Sequence, residues 1–317
     1  MKTKFVLLCG GLLATAGSSV TAATLQRSDV PAEALWLAHA DCDGLRPTVV
    51  GQYLLAEMDK PEAQAKFAAF QAIFSFDPRK QLHGLTLFST GSKPEDPVLL
   101  VYADFDSDRL VTLAKAAKDS QTTTHNQQVI YNWIDEKKPA KDGVQPRTFA
   151  AISGRNIVIF GQKEAPVAQA LDVLDRTARG LATGSFPQLG APGNANLIEA
   201  ATQKIDAAAT DPSAAIFRLA KLLQLQASET GRQVTARLTL EAGDENVAQT
   251  MTTVAQGLVG LMKLQQNKPE AVKFAEALSL VQDGPVVTAS LTMPAEDVVA
   301  GMKADAARKA AKQAEKQ

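Results

Sequence analysis

Cysteine is almost missing from this chain of 317 residues. Cys9 and Cys42 are its two copies, which excludes a disulfide-stapled scaffold. Histidine is nearly as scarce, with three copies, and neither His-Glu-x-x-His nor a paired-cysteine knuckle occurs, so no metal is expected. Charge of one sign is lacking as well. Lys and Arg total 33 against 34 Asp and Glu, too even a balance to neutralise a phosphate backbone, so nucleic acid is excluded as a partner. There is no Gly-x-Ser-x-Gly elbow, no phosphate loop ending in Gly-Lys-Ser/Thr and no dinucleotide glycine fingerprint. No cofactor is expected. Beyond residue 23 no apolar run approaches the roughly 18 residues that a membrane-spanning helix requires.

What is present is globular: 45% apolar and 21% charged residues, too apolar for disorder. The beginning is a separate matter. Lys2 and Lys4 precede an apolar run at 5–16, then small residues lead to Thr21-Ala22-Ala23. That order describes a signal peptide, 1–23, and predicts an exported product in the periplasm or at the cell exterior. Cys9 lies too early in the run to be a lipidation site. Cys42 is then the one thiol left, and its position between Asp41 and Asp43 predicts an inert one.

Roughly 150 residues per domain predicts two units. The seam is the Gly-, Pro- and Ser-containing stretch 181–194, read as a linker or long loop between domains at 24–180 and 195–303, with a solvated Ala/Lys-rich tail at 304–317. In the second half Leu223, Leu225 and Ala227 alternate with Gln224, Gln226 and Ser228. After Glu229-Thr230-Gly231-Arg232, Val234, Ala236, Leu238 and Leu240 alternate with Thr235, Arg237, Thr239 and Glu241. Period two about a glycine turn predicts a hairpin with one dry and one wet face, so Leu238→Asp should unfold this half and Thr239→Asp be nearly silent. A second hairpin spans 278–293. Between them Val247, Met251, Val254, Leu258 and Leu261 form one helical stripe, expected to be core. The first half follows the same order, with strands expected at 36–40, 82–89, 98–103, 129–134, 149–152 and 157–160 and helices at 61–73, from Asp106, and at 165–178. The expected class is α+β: two similar halves, each an antiparallel sheet with helices packed on one face.

One contrast separates the halves. Val98-Leu99-Leu100-Val101-Tyr102 and Ile157-Val158-Ile159-Phe160 are apolar on both faces, so a second cover is required there. The other domain, a partner chain and an apolar ligand are the candidates.

Three constellations invite a chemical reading. His39 and Asp41 share a strand face beside Asp43, a possible polar cluster, although aspartates at that point also suit a helix cap. Asp104, Asp106 and Asp108 have the spacing of a calcium loop, but Arg109 and Lys115 stand where its glycine and its last glutamate belong, which leaves acids at a helix start. Tyr131 and Trp133 share a strand face with Tyr102 nearby, a candidate ligand-binding platform or plain core.

The stretch Val30-Pro31-Ala32-Glu33-Ala34-Leu35-Trp36-Leu37-Ala38-His39-Ala40-Asp41 is similar to the mature start of a group of exported bacterial proteins with no known activity. The segments Val254-Ala255-Gln256-Gly257-Leu258-Val259-Gly260-Leu261 and Val287-Thr288-Ala289-Ser290-Leu291-Thr292-Met293-Pro294 resemble the same group. The resemblance implies a duplicated α+β architecture in an envelope protein, and it carries no catalytic or ligand residue. The expected function is therefore a non-catalytic exported protein acting through protein or surface contacts. Alternatives are a carrier of a lipid or other apolar small molecule, and a hydrolase without a recognisable motif.

Overall fold

A computed structural model describes residues 24–140, 143–182, 184–190, 195–203, 219–265 and 268–314. The expected signal peptide, residues 183 and 191–194 of the expected linker, and residues 315–317 of the tail lie outside the described residues. In chain order the first elements are β1 (Trp36–Asp41), α1 (Cys42–Leu45), α2 (Val49–Met58), α3 (Pro61–Phe74), α4 (Pro78–Gln81), β2 (Leu82–Ser89) and β3 (Val98–Ala103). There follow α5 (Ser107–Ala116), β4 (Gln121–His125), β5 (Gln128–Ile134), β6 (Arg147–Ser153), β7 (Ile157–Gly161), α6 (Glu164–Leu174) and β8 (Ile198–Thr202). The last are β9 (Ala220–Thr230), β10 (Gln233–Ala242), α7 (Glu245–Lys263), α8 (Pro269–Ala277), β11 (Leu278–Asp283), β12 (Val286–Pro294) and α9 (Ala295–Ala314).

Local chemistry sets the helix starts. Asp41, Thr48, Asp106 and Asp244 each accept the backbone amide three residues on, satisfying a donor that the first helical turn leaves free. Gly231 and Arg232 both take positive φ, 58° and 65°, the two-residue turn whose twist matches that of flanking strands β9 and β10.

The class is α+β, as the pattern predicts. The strands, however, join in one antiparallel sheet of twelve, in the order β11-β12-β10-β9-β8-β1-β2-β3-β7-β6-β5-β4. β1 is the joint: Leu37 stands opposite Phe88 of β2 on one side and Ala201 of β8 on the other. The halves, expected to carry a sheet each, share one. They also interlock through helices. The Glu229 carboxylate at the end of β9 accepts the Val49 and Val50 amides of α2 at 2.7 and 3.1 Å. α9 returns to α2, where the Lys303 ammonium lies 5.5 Å from the centre of the Tyr53 ring. α9 runs through the exposed tail as far as Ala314, with ion pairs from Arg308 to Glu270 and from Lys309 to Asp305.

The main core lies on one face of the central strands. Leu37, Phe88, Leu100, Ile130, Ala151, Ile157 and Ile159 meet Val167, Ala170, Leu171 and Leu174 of α6. Each large side chain buried there contributes about 1.5–3 kcal/mol relative to exposure. Leu181, Phe186 and Leu189, from the stretch expected as a linker or long loop, are buried in the same cluster. Arg27 pins that loop: its guanidinium donates to the carbonyls of Phe186 (3.0 Å), Leu189 (2.7 Å), Ala182 and Ser185.

The loop corrects one expectation. Its polar atoms lie over the supposed wet face of β9 and β10, where Gln224 accepts from the Gln188 amide at 3.2 Å and Gln226 donates to the Gln188 carbonyl at 2.7 Å. Thr239 is consequently buried, 7% exposed, beneath Gln188. The α7 stripe departs from expectation in the opposite sense. Met251 is buried with Ala248 in a second, smaller core, whereas Val254, Leu258 and Leu261 are exposed. The first half of α7 is thus seated in that core and its second half leaves its apolar side chains exposed.

Thr239→Asp is expected to cost about 1–3 kcal/mol in chemical denaturation, because the carboxylate would be desolvated under the loop. Thr235→Asp, on the exposed part of the same strand, is the control and should stay within about 0.5 kcal/mol. Equal, small effects would show that the loop does not cover β10.

Candidate functional site

The two-faced strands of the first half receive their second cover from α3 and α5. On this face lie Val101 and Ala103 of β3, Val158 and Phe160 of β7, Ala150 and Ile152 of β6, and Tyr131 and Trp133 of β5. They form a continuous floor, since Tyr131 pairs with Ala150, Ala150 with Phe160, and Ile152 with Val158, which in turn faces Val101. Leu110, Leu113, Ala114 and Ala117 form the roof at α5, and Phe70 and Phe74 close it from α3. α5 meets the floor at β5, and beside that contact floor and roof leave a cavity of about 540 Å³, open along part of its boundary and within the range of small-molecule sites.

The cavity exists because small residues lie where large ones would fill it. Ala150 sits between Tyr131 and Phe160 on the floor, and Ala114 and Ala117 are on the roof. α3 closes it lightly: no residue of α3 is buried, and Phe70 is 37% exposed. Phe70 lies 4.6 Å from Phe74 and 6.1 Å from Phe76, ring centre to ring centre, so three aromatics form that wall. One hydrogen bond ties the two roof helices at this end, from Arg109 Nε to the Ile73 carbonyl at 2.8 Å. Every wall residue is aliphatic or aromatic.

The aromatic candidates separate here. Tyr131 and Trp133 line the cavity. Tyr102 points to the opposite face of β3, where it is 3% exposed and donates to Asp29 Oδ2 at 3.3 Å. Strand alternation accounts for this, because Val101 and Ala103 occupy the cavity side and Tyr102 must then face the core. Asp29 is fully buried and is held by Arg155 and Arg176, each at 2.9 Å.

His39, Asp41 and Asp43 are near one another in sequence but engaged separately. His39 is buried on the core face with Nδ1 2.9 Å from Thr86 Oγ1. Asp41 caps α1 by accepting the Gly44 amide at 2.7 Å. Asp43 accepts from Arg46 at 2.7 Å and from His83 Nδ1 at 2.9 Å. Of the three acids read at a helix start, Asp106 caps α5 and Asp104 meets His83 Nε2 at 3.0 Å. His83 thus bridges two carboxylates on opposite edges of its ring, which do not converge on a point where a cation could sit. Among the described residues no group of three or more His, Cys, Asp or Glu can hold a metal ion.

Sequence reading passed over His83, whose partners come from positions 40 residues before it and 21 after. Burial pulls its imidazolium down, but the hydrogen bonds to Asp104 and Asp43 outweigh it, and the net shift is above 6.5. Burial is also the first reason that the Cys42 thiol is pushed up to about 11, with Arg46 opposing and Asp41 and Asp43 adding to it. That direction agrees with an inert thiol.

No family model matches the chain, and no curated protein does. Among solved structures, crystal form III of TP0453, a Treponema protein, is similar with a TM-score of 0.50 at 9% identity, covering 89% of this chain and 99% of that one. Crystal forms I and IV of TP0453 superpose with TM-scores of 0.46 and 0.47 at 8% identity. The likeness to form III is one of fold. No helix among the described residues is long and apolar enough to cross a membrane.

Two outcomes are expected. A raised folded-state value means that the His83 bridge stabilises fully below about pH 6.5 and fades as pH rises through that raised value. The stability difference between the unaltered protein and His83→Gln, measured from about pH 5 to about pH 9, should therefore shrink toward alkaline pH; growth in that direction would contradict the bridge. Cys42 should label slowly with a thiol reagent near pH 7 in the folded protein and rapidly after denaturation. Fast native labelling would contradict the raised thiol.

Proposed function

We propose that this is an exported, non-catalytic protein that binds an apolar small molecule between the first-half sheet and helices α3 and α5. The observation that carries the reading is the cavity of about 540 Å³ with walls free of charged side chains. Apolar surface enclosing that much space loses the contacts a packed core would make, and a hydrocarbon occupant restores them. Export is supported by the order of Lys2, Lys4, the apolar run and Thr21-Ala22-Ala23. A hydrolase centred on His39 finds little support, because Asp41 and Asp43 are committed to a cap and to Arg46 and His83.

Action through protein contacts is the second reading. It is favoured by Val254, Leu258 and Leu261, exposed along one stripe of α7 together with Leu264.

The test of the first reading is titration with the neutral apolar dye N-phenyl-1-naphthylamine. One saturable site per chain is expected. Ala150→Phe, filling from the floor, and Ala114→Phe, filling from the roof, should each abolish it while moving the melting temperature by less than about 4 °C. Dye binding unaltered in both folded variants would overturn the reading. A loss of binding on Leu258→Glu alone would transfer it to the α7 stripe.

A further inference from the structure

We propose that a second copy of this chain pairs with β11, edge to edge and antiparallel, making a two-fold dimer in which one sheet runs through both molecules. The proposal is independent of the cavity.

The sheet ends at β11 and at β4, and among the described residues each has a strand on one side only. An edge strand presents backbone N–H and C=O groups that another extended chain can pair with, and soluble proteins blunt such edges with lysine, proline, a bulge or an inward-pointing charge. β11, Leu-Ser-Leu-Val-Gln-Asp, carries neither lysine nor proline. Its register against β12 is regular over all six residues, whereas β9–β10 and β2–β3 each carry an irregularity. Its one charge, Asp283, stands at the last position and is exposed. β4 is a different edge: Gln-Thr-Thr-Thr-His has no apolar side chain to bury, and His125 at its end meets Asp172 of α6 at 2.8 Å.

The side chains of β11 divide by face. Gln282 donates to the Glu245 carbonyl of α7 at 3.4 Å, so Gln282 faces α7 together with Leu278 and Leu280, and these three are half-buried. Alternation puts Ser279, Val281 and Asp283 on the opposite face, all exposed, with Val281 at 59%.

Symmetry and charge identify the partner. Two identical strands related by a two-fold axis perpendicular to the sheet run antiparallel, and side chains that stand opposite each other share a face, so the axis passes through a residue. An axis at Val281 sets this side chain against Val281 of the second copy, a β-branched pair of the kind that stabilises a sheet. It also sets each Asp283 against Ser279 of the other copy, whose hydroxyl can donate to the carboxylate, and keeps the two carboxylates at opposite ends of the pairing. Parallel pairing would place Asp283 beside Asp283. Pairing of β11 with β4 of the next copy would never close and would build open chains.

The experiment is sedimentation velocity of the full chain from about 1 to about 200 μM, the range in which a small interface of this kind associates. Monomer is expected to give way to dimer, with no larger species. Val281→Lys, which supplies the charge that edges ordinarily carry, should weaken dimerisation about tenfold or more. Because Val281 is exposed, its melting temperature should move by less than about 2 °C, which shows that the fold is intact. Leu261→Glu, on the exposed stripe of α7, should leave the dimer unchanged. In a chain carrying Cys9→Ser and Cys42→Ser, Val281→Cys should form a covalent dimer on mild oxidation and Leu261→Cys should not. A monomer throughout the range, a dimer indifferent to Val281→Lys, cross-linking at Leu261→Cys in place of Val281→Cys, or growth beyond the dimer would each overturn the proposal.

Discussion

Strands β3 and β7 carry large apolar side chains on both faces, and a strand of that kind is stable only between two covers. One face of these strands is satisfied in the ordinary way: α6, the segment from Leu25 to Ala34 and the loop carrying Phe186 and Leu189 close over it in the main core. The other face receives two helices that leave a gap above part of it. α5 presents alanines where it crosses the sheet, and α3 has no buried residue of its own. The same demand is therefore met once by packing and once by enclosure. The difference between the two covers produces the candidate site.

Continuity of the sheet bears on how that enclosure is held. β1 is paired on both edges, to β2 and to β8, so the strands below the cavity are anchored to the second half of the chain. The helical side is anchored there as well. Glu229 fixes the start of α2, α9 lies along it, and α2 leads directly into α3. The second half, whose own core is small, thereby acts as the frame to which floor and roof are both tied.

Much of this was legible in the sequence because it rests on periodicity and short-range capping. The hairpins β9–β10 and β11–β12, the strands β2 and β3, and the start of α5 follow from alternation and from Asp at the cap. β4 escaped because Gln-Thr-Thr-Thr-His has no dry face to alternate with; it is an edge strand carried by its partner β5. β8 escaped for a related reason. It is short and contains Glu199, a residue that argues against burial until the Gly190 amide and the Asn196 side chain are seen to satisfy it. Since β8 is the strand that joins the halves, missing it meant reading two sheets where one exists. Thr239 and the end of the α7 stripe show the same limit: alternation identifies the polar and apolar faces, whereas which face is covered depends on a loop or a sheet edge distant in sequence. The site divides likewise. That Tyr131 and Trp133 share a face is local, and that Tyr102 turns away from them is fixed by strand parity, but the space above them depends on where α3 and α5 rest.

Why that space persists is an energetic question. A fold gains contacts by letting helices settle; here Phe70, Phe74, Leu110 and Leu113 line one side, Phe160, Ile152 and Trp133 the other, and the alanines among them leave the interior unfilled. Larger side chains at Ala150 or Ala114 would recover dispersion contacts and raise stability, within the limits set by overpacking. A chain shaped by stability alone would be expected to carry them. Alanine on both sides of one void fits the binding role proposed above. On the proposed reading an occupant would complete the packing, and stability of the first half would then be linked to ligand concentration in the way that any molecule bound by the folded state alone shifts the folding equilibrium.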